Sequence, residues 1–208
     1  MFVSKIVTFN KVNFLNNLSN EHAFSKGYQK EYFNIGHPID SPPTLRGSMV
    51  VELNVNFIFD NKDFFEYGSP IDIGSLMAGY INPHNFEISE TKMDFFTFSR
   101  LIKDLLNVDY SDKHLLLKHQ ITESVHEILK LYLRNEVADF VMYDSNPHSR
   151  LFEFCLSGNY VLDSRHVKII HIPNTYTNSN LIKKISSRFK GKVMTFNPKY
   201  GFEGRYVA

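Results

Sequence analysis

The chain has 208 residues, and 23 Lys and Arg against 22 Asp and Glu give a net charge of +1 that conceals a strong asymmetry. Residues 165–208 hold nine basic side chains (Arg165, Lys168, Lys183, Lys184, Arg188, Lys190, Lys192, Lys199, Arg205) and one acid, Glu203, a balance of +8; residues 1–164, with 14 basic and 21 acidic side chains, carry −7. A hydrophobic content of 43% with 19 Phe and 11 Tyr excludes a disordered chain, and no apolar run approaches the roughly 18–20 residues that span a bilayer.

From the N-terminus, residues 2–9 read as a strand and 11–26 as an Asn-rich helix. Lys5 and Lys11 interrupt the apolar pieces, so no signal peptide is expected. A single cysteine, Cys155, excludes an internal disulfide framework and Cys-rich zinc sites, which fits a reducing compartment such as the cytoplasm. Residues 34–48, with Gly36, Pro38, Pro42, Pro43 and Gly47, form a loop or linker. Residues 48–59 place Met49, Val51, Leu53, Val55, Phe57 and Phe59 on one parity and Ser48, Glu52, Asn54 and Asn56 on the other, the pattern of a strand with one wet face. Residues 60–63 then read as a turn, with Phe64 to Tyr67 returning as a hairpin partner.

Two helices are expected next. Thr91 has the hydroxyl of an N-cap with Asp94 three residues on, ahead of Phe95, Phe98, Leu101, Ile102 and Leu105 at helical spacing. A second helix over about 113–135 carries Ile121, Val125, Ile128, Leu129 and Tyr132 on one stripe. Residues 137–143, 151–156, 165–172 and 192–197 read as strands. The order of strands, helices, then strands points to an α+β fold, an antiparallel or mixed sheet packed against two or three helices. A single α+β domain over 1–208 is expected, because the stretch before the 34–48 loop is too short to bury a core alone.

The most interpretable functional segment is 181–190, an amphipathic helix with Ile182, Ile185 and Phe189 on one face and Lys183, Lys184, Arg188 and Lys190 on the other. Ser179 or Asn180 can cap its start and Gly191 can supply a left-handed residue at its end. Lys192, Lys199 and Arg205 follow, interleaved with Phe196, Tyr200, Phe202 and Tyr206. Cations neutralise phosphates and aromatic faces stack on unpaired bases, so the expected partner is RNA or single-stranded DNA. The expected interface is Lys183, Lys184, Arg188, Lys190, Lys192, Lys199, Tyr200, Phe202, Arg205 and Tyr206. Acidic protein surfaces, or the acidic part of further copies of this chain, are the alternative partners, and no membrane is expected.

Catalytic patterns are sparse. Asp72 with Glu90-Thr91-Lys92 mimics the Asp, Glu-x-Lys set of metal-dependent nucleases, in which two carboxylates hold Mg²⁺ and a lysine positions water. His119, Glu123 and His126 match a Glu-x-x-His spacing, but the wheel turns them away from the apolar stripe, so no metal site is expected. His166-Val-Lys168 matches a His-x-Lys pattern whose expected aspartate is replaced by Pro173. Asp144, His148, Asp163, His166 and His171 could form a site only through the fold, and Cys155 reads as a small buried hydrophobe. No phosphate-binding glycine motif is present and no cofactor is expected. The residue usage, 19 Asn and 16 Lys against 4 Ala, suggests an A/T-rich source such as a phage, virus or low-GC bacterium. The expected function is therefore a non-enzymatic accessory protein that binds RNA or single-stranded nucleic acid. A structural or assembly subunit is the second possibility and a metal-dependent nuclease the third.

Overall fold

The computed structural model describes residues 3–7, 23–24, 27–35, 49–107, 123–146 and 152–197. Its elements in chain order are β1 (Val3–Val7), β2 (Ala23–Phe24), β3 (Gly27–Ile35), β4 (Met49–Leu53), α1 (Asn56–Asp60), β5 (Phe65–Ser69), α2 (Ile73–Met77) and α3 (Phe95–Asn107). They continue with α4 (Glu123–Lys130), α5 (Asn135–Tyr143), β6 (Glu153–Gly158), β7 (Val161–Leu162), β8 (Val167–Pro173), α6 (Asn180–Arg188) and β9 (Val193–Phe196). The fold is α+β with a mixed sheet, and six helices rather than two or three stand among the described residues. None of these helices is long and apolar enough to cross a membrane. By packing, the chain divides into two compact units: Met1–Phe33 with His37–Phe64 and Leu156–Ala208, and Asn34–Gly36 with Phe65–Cys155.

In the first unit the strands lie in the order β3-β1-β4-β8-β9. β4 pairs antiparallel with β1 (Lys5↔Val51) and with β8 (Val51↔Ile170), while β8 pairs parallel with β9 (Ile170↔Val193). All five residues of β4 are buried, so the wet face expected for this strand is absent, and Glu52 lies inside. The strand also ends at Leu53 rather than continuing to Phe59. The reason is visible at Phe57 and Ile58: neighbours in sequence, both are buried while Phe59 is half exposed, which a two-residue period forbids and a helical turn allows. Phe57 packs against Phe33 and Tyr160 with ring centroids 5.0 and 5.9 Å away, and Phe33 meets Tyr160 edge-on at 5.6 Å. Each such pair adds roughly 0.5–1.5 kcal/mol beyond the area it buries. Asn61, fully buried, ties α1 to β7: its Nδ2 donates to the carbonyls of Phe57 (2.9 Å) and Val161 (2.8 Å), and its Oδ1 accepts the Val161 N–H. The helix expected over 11–26 falls outside the described residues except at Ala23 and Phe24, which are strand and pair with β7.

The second unit is mainly helical. α3 packs on β5 and on α4, and α4 packs on α5. Phe98, Leu101, Ile102 and Leu105 of α3, Val125 and Leu129 of α4, and Val137, Ala138 and Val141 of α5 are all buried. The strand expected over 137–143 is therefore helix. Its buried positions recur at i, i+1 and i+4, a helical stripe that a short Val-rich segment can mimic as a strand. The preceding helix stops at Lys130 instead of reaching Asn135; residues 131–133 turn, and the extended Arg134 is the N-cap of α5. Thr91 is not the cap of α3. It is buried in a 3-10 turn, donating to the Ile88 carbonyl, and Asp94 caps the helix by accepting the Thr97 N–H (2.8 Å). Phe65–Ser69 is a strand as expected, but its hydrogen-bonded neighbour in the sheet is β6. Residues 36–48 of the expected loop lie outside the described residues, and Asn34–Ile35 close β3.

Gly68 on β5 exchanges two backbone hydrogen bonds with Met93 and lies directly against the Phe98 ring, where a Cβ would come within 2.2–2.6 Å of three ring atoms. Gly68→Ala should therefore destabilise the protein by about 1–3 kcal/mol, the usual cost of overpacking. A denaturant titration showing an unchanged midpoint would contradict this packing.

Candidate nucleic-acid interface

α6 forms where the sequence places it but ends at Arg188, with Phe189 and Lys190 in the turn beyond it rather than in the helix. Ser179 Oγ accepts the Ile182 N–H (3.1 Å) at its start. At its end the Lys192 N–H reaches the Phe189 carbonyl (2.8 Å) across Gly191, whose φ of +83° most residues disfavour. Ile182, Ile185 and Phe189 are buried; Lys183, Lys184 and Lys190 are exposed and Arg188 is partly so. The helix follows β8 and precedes β9, the two parallel strands of the first unit, so it forms the crossover of a β-α-β segment.

The basic side chains of this region separate into different tasks. Arg165 is committed to Asp163, with Nε and Nη2 donating to Oδ2 at 2.9 and 2.7 Å while its backbone N–H donates to Oδ1 at 2.7 Å. That guanidinium holds the Asp163 carboxyl below the usual carboxylate range. Lys192 Nζ donates to the Ser164 carbonyl (2.9 Å), and the Arg188 guanidinium lies over the Phe189 ring at 5.1 Å. Among the described residues no carboxylate pairs with Lys183, Lys184 or Lys190. Lys199, Tyr200, Phe202, Arg205 and Tyr206 lie outside the described residues.

The nuclease-like set is distributed over separate local tasks in the second unit. Asp72 caps α2, accepting the Ser75 N–H and Oγ–H at 2.9 Å each. Glu90 accepts the Glu87 N–H (2.7 Å) and a hydrogen bond from Arg134, and its carboxyl is held below the usual range, first by that backbone donor. Lys92 Nζ sits 4.6 Å from the Tyr67 ring centroid. Among the described residues no group of three or more His, Cys, Asp or Glu could hold a metal ion.

Sequence reasoning missed the three buried histidines, each bonded to a carboxylate. His126, expected to point outward, is buried, with Nε2 on Asp139 (2.8 Å) and its ring edge-on to Tyr143. His166 is fixed in one tautomer: the Asp163 N–H can only donate, so Nδ1 accepts it (3.2 Å) and Nε2–H donates to Asp60 (2.8 Å). With both ring nitrogens engaged, His166 serves to pin the turn before β8 to α1. His171 Nε2–H donates to Glu52 (2.9 Å), and both side chains are buried. They sit on one sheet face, because Val50 is opposite His171 and Glu52 opposite Ile169. Asp144 belongs to the second unit, where it accepts the Asn146 N–H; Glu123 is exposed, and His119 and His148 lie outside the described residues. Cys155 is buried, as expected of a small hydrophobe. Comparison with protein-family models, curated proteins and solved structures finds no match.

Two outcomes follow. Glu52→Ala removes the carboxylate acceptor of a buried imidazole and should destabilise by about 1–3 kcal/mol, with Glu52→Gln losing less because its amide oxygen still accepts; equal loss in the two variants by urea unfolding would contradict the pairing. Asp163 has a depressed folded pKa, so its contribution is present above its unfolded value of about 3.9 and is lost as pH falls through the lower folded value. Asp163→Asn should therefore reduce the drop in unfolding midpoint on acidification below about pH 4, measured by thermal melts over a pH series.

Proposed function

We propose that this protein is a non-enzymatic accessory protein that binds RNA or single-stranded DNA through the basic face of α6 and the aromatic-rich segment after it. The observation that carries the reading is the state of Lys183, Lys184 and Lys190. Lys183 and Lys184 are exposed on one side of a helix whose other side is buried, Lys190 is exposed in the turn that follows it, and no described carboxylate neutralises them. Such cations replace condensed counterions on a phosphate backbone, which makes binding steeply salt-dependent. Tyr200, Phe202 and Tyr206 supply aromatic faces on which unpaired bases stack, and Lys199 and Arg205 further charge.

A second reading, an assembly subunit, is favoured by Met77, Tyr80, Phe96, Leu131 and Tyr143, large side chains of the second unit that are 70–77% exposed. The two separate by titration of a labelled single-stranded RNA at several salt concentrations. For single strands each lysine–phosphate contact contributes about 0.7 to the slope of log K against log salt, so replacing Lys183, Lys184 and Lys190 by Ala should lower that slope by about 2. No binding at low salt, or an unchanged slope in the triple variant, contradicts the nucleic-acid reading. Oligomers by light scattering without any RNA binding would favour the assembly reading.

A further inference from the structure

We infer that the outer edge of β9 is a docking site for an extended acidic peptide segment of a partner protein, which would add to the sheet as a strand. β9 is the last strand in the order β3-β1-β4-β8-β9. The Ile170 N–H donates to the Lys192 carbonyl (2.7 Å) and Ile170 is opposite Val193. In a parallel ladder this phase turns the backbone groups of Met194 toward β8, and the N–H and C=O of Val193 and Thr195 away from it. Among the described residues nothing pairs with that outward row.

The edge is short, four residues, but it carries none of the other devices that blunt one. Val193–Phe196 contains no proline and no charge, and its pairing with β8 runs without a register shift. Val193, Met194 and Thr195 are only half-buried, and Val, Met and Thr accept a neighbouring strand well. Charge selects the occupant. Lys190 and Lys192 immediately precede the strand, and between residues 165 and 197 the sequence has no acid at all. A second copy adding edge to edge would bring its own Lys190 and Lys192 to the same sheet, whereas an acidic strand meets complementary charge. Main-chain hydrogen bonds would supply affinity and the lysines the preference, the usual division in strand addition.

The test uses the full chain and two blocked peptides, one alternating Val and Glu, the other alternating Val and Lys, followed by fluorescence anisotropy and amide hydrogen exchange. The Val–Glu peptide should bind, should slow exchange at Val193 and Thr195, and should outcompete the Val–Lys peptide. Thr195→Pro deletes an outward N–H without removing a bond to β8, so it should weaken peptide binding about tenfold or more. The inference does not rest on the nucleic-acid reading, and Thr195→Pro should leave oligonucleotide binding intact. Four results would overturn it: no binding of the Val–Glu peptide, equal binding of the two peptides, binding that survives Thr195→Pro in a folded variant, or Val193 and Thr195 amides already protected in the free protein. Edge-to-edge dimers detected by light scattering, abolished by Thr195→Pro, would assign the edge to a second copy instead.

Discussion

The first unit depends on the pairing of β4 with β8. Because β4 lies between β1 and β8 and every one of its residues is buried, Glu52 is taken out of water. An ionised carboxylate left alone in that position would cost several kcal/mol. His171, two residues along β8 from the position opposite Glu52, supplies the donor on the same sheet face. One register is thereby favoured over its neighbours, since a slip of a single residue would turn His171 to the other face and leave both groups unmatched. The next element inherits that register: β8 runs on through Pro173 to the capped start of α6, and β9 returns parallel to it.

α6 was legible in the sequence because three independent signals agree there. A hydroxyl stands at Ser179, the apolar residues recur at helical spacing, and a glycine stands where the chain must turn left-handed. Strands β1, β6, β8 and β9 were legible because short β-branched and aromatic runs stand between turn residues. The failures have physical causes as well. Residues 48–59 satisfy a two-residue period on paper except at Val50 and Ile58, apolar residues on the supposedly polar parity, and that exception was the signal of two buried faces at β4 and of a helix at α1. Val137 to Tyr143 is short enough that helical and strand patterns coincide; only packing against α4 decides between them.

The histidines were not legible for a different reason. Two are matched to carboxylates far away in sequence, Asp60 for His166 and Glu52 for His171, so no local spacing announces either pair. His126 and Asp139 lie on two different helices of the second unit, which a wheel drawn for one helix cannot relate. All three imidazoles are buried and hydrogen-bonded, and the bonds seen for them organise strands, turns and helices.

The charge asymmetry takes on structure once the cations are assigned. Arg165 answers Asp163, Lys192 holds a carbonyl and Arg188 covers a ring, while Lys183, Lys184 and Lys190 face solvent without a described carboxylate. The nucleic-acid reading rests on those three lysines. An amide-resolved NMR titration with oligouridine at low salt tests it most directly. It predicts shift changes concentrated at residues 183–190 and in the aromatic segment that follows, fading as salt is raised. Shift changes confined to the second unit, or none at saturating oligonucleotide, would contradict it.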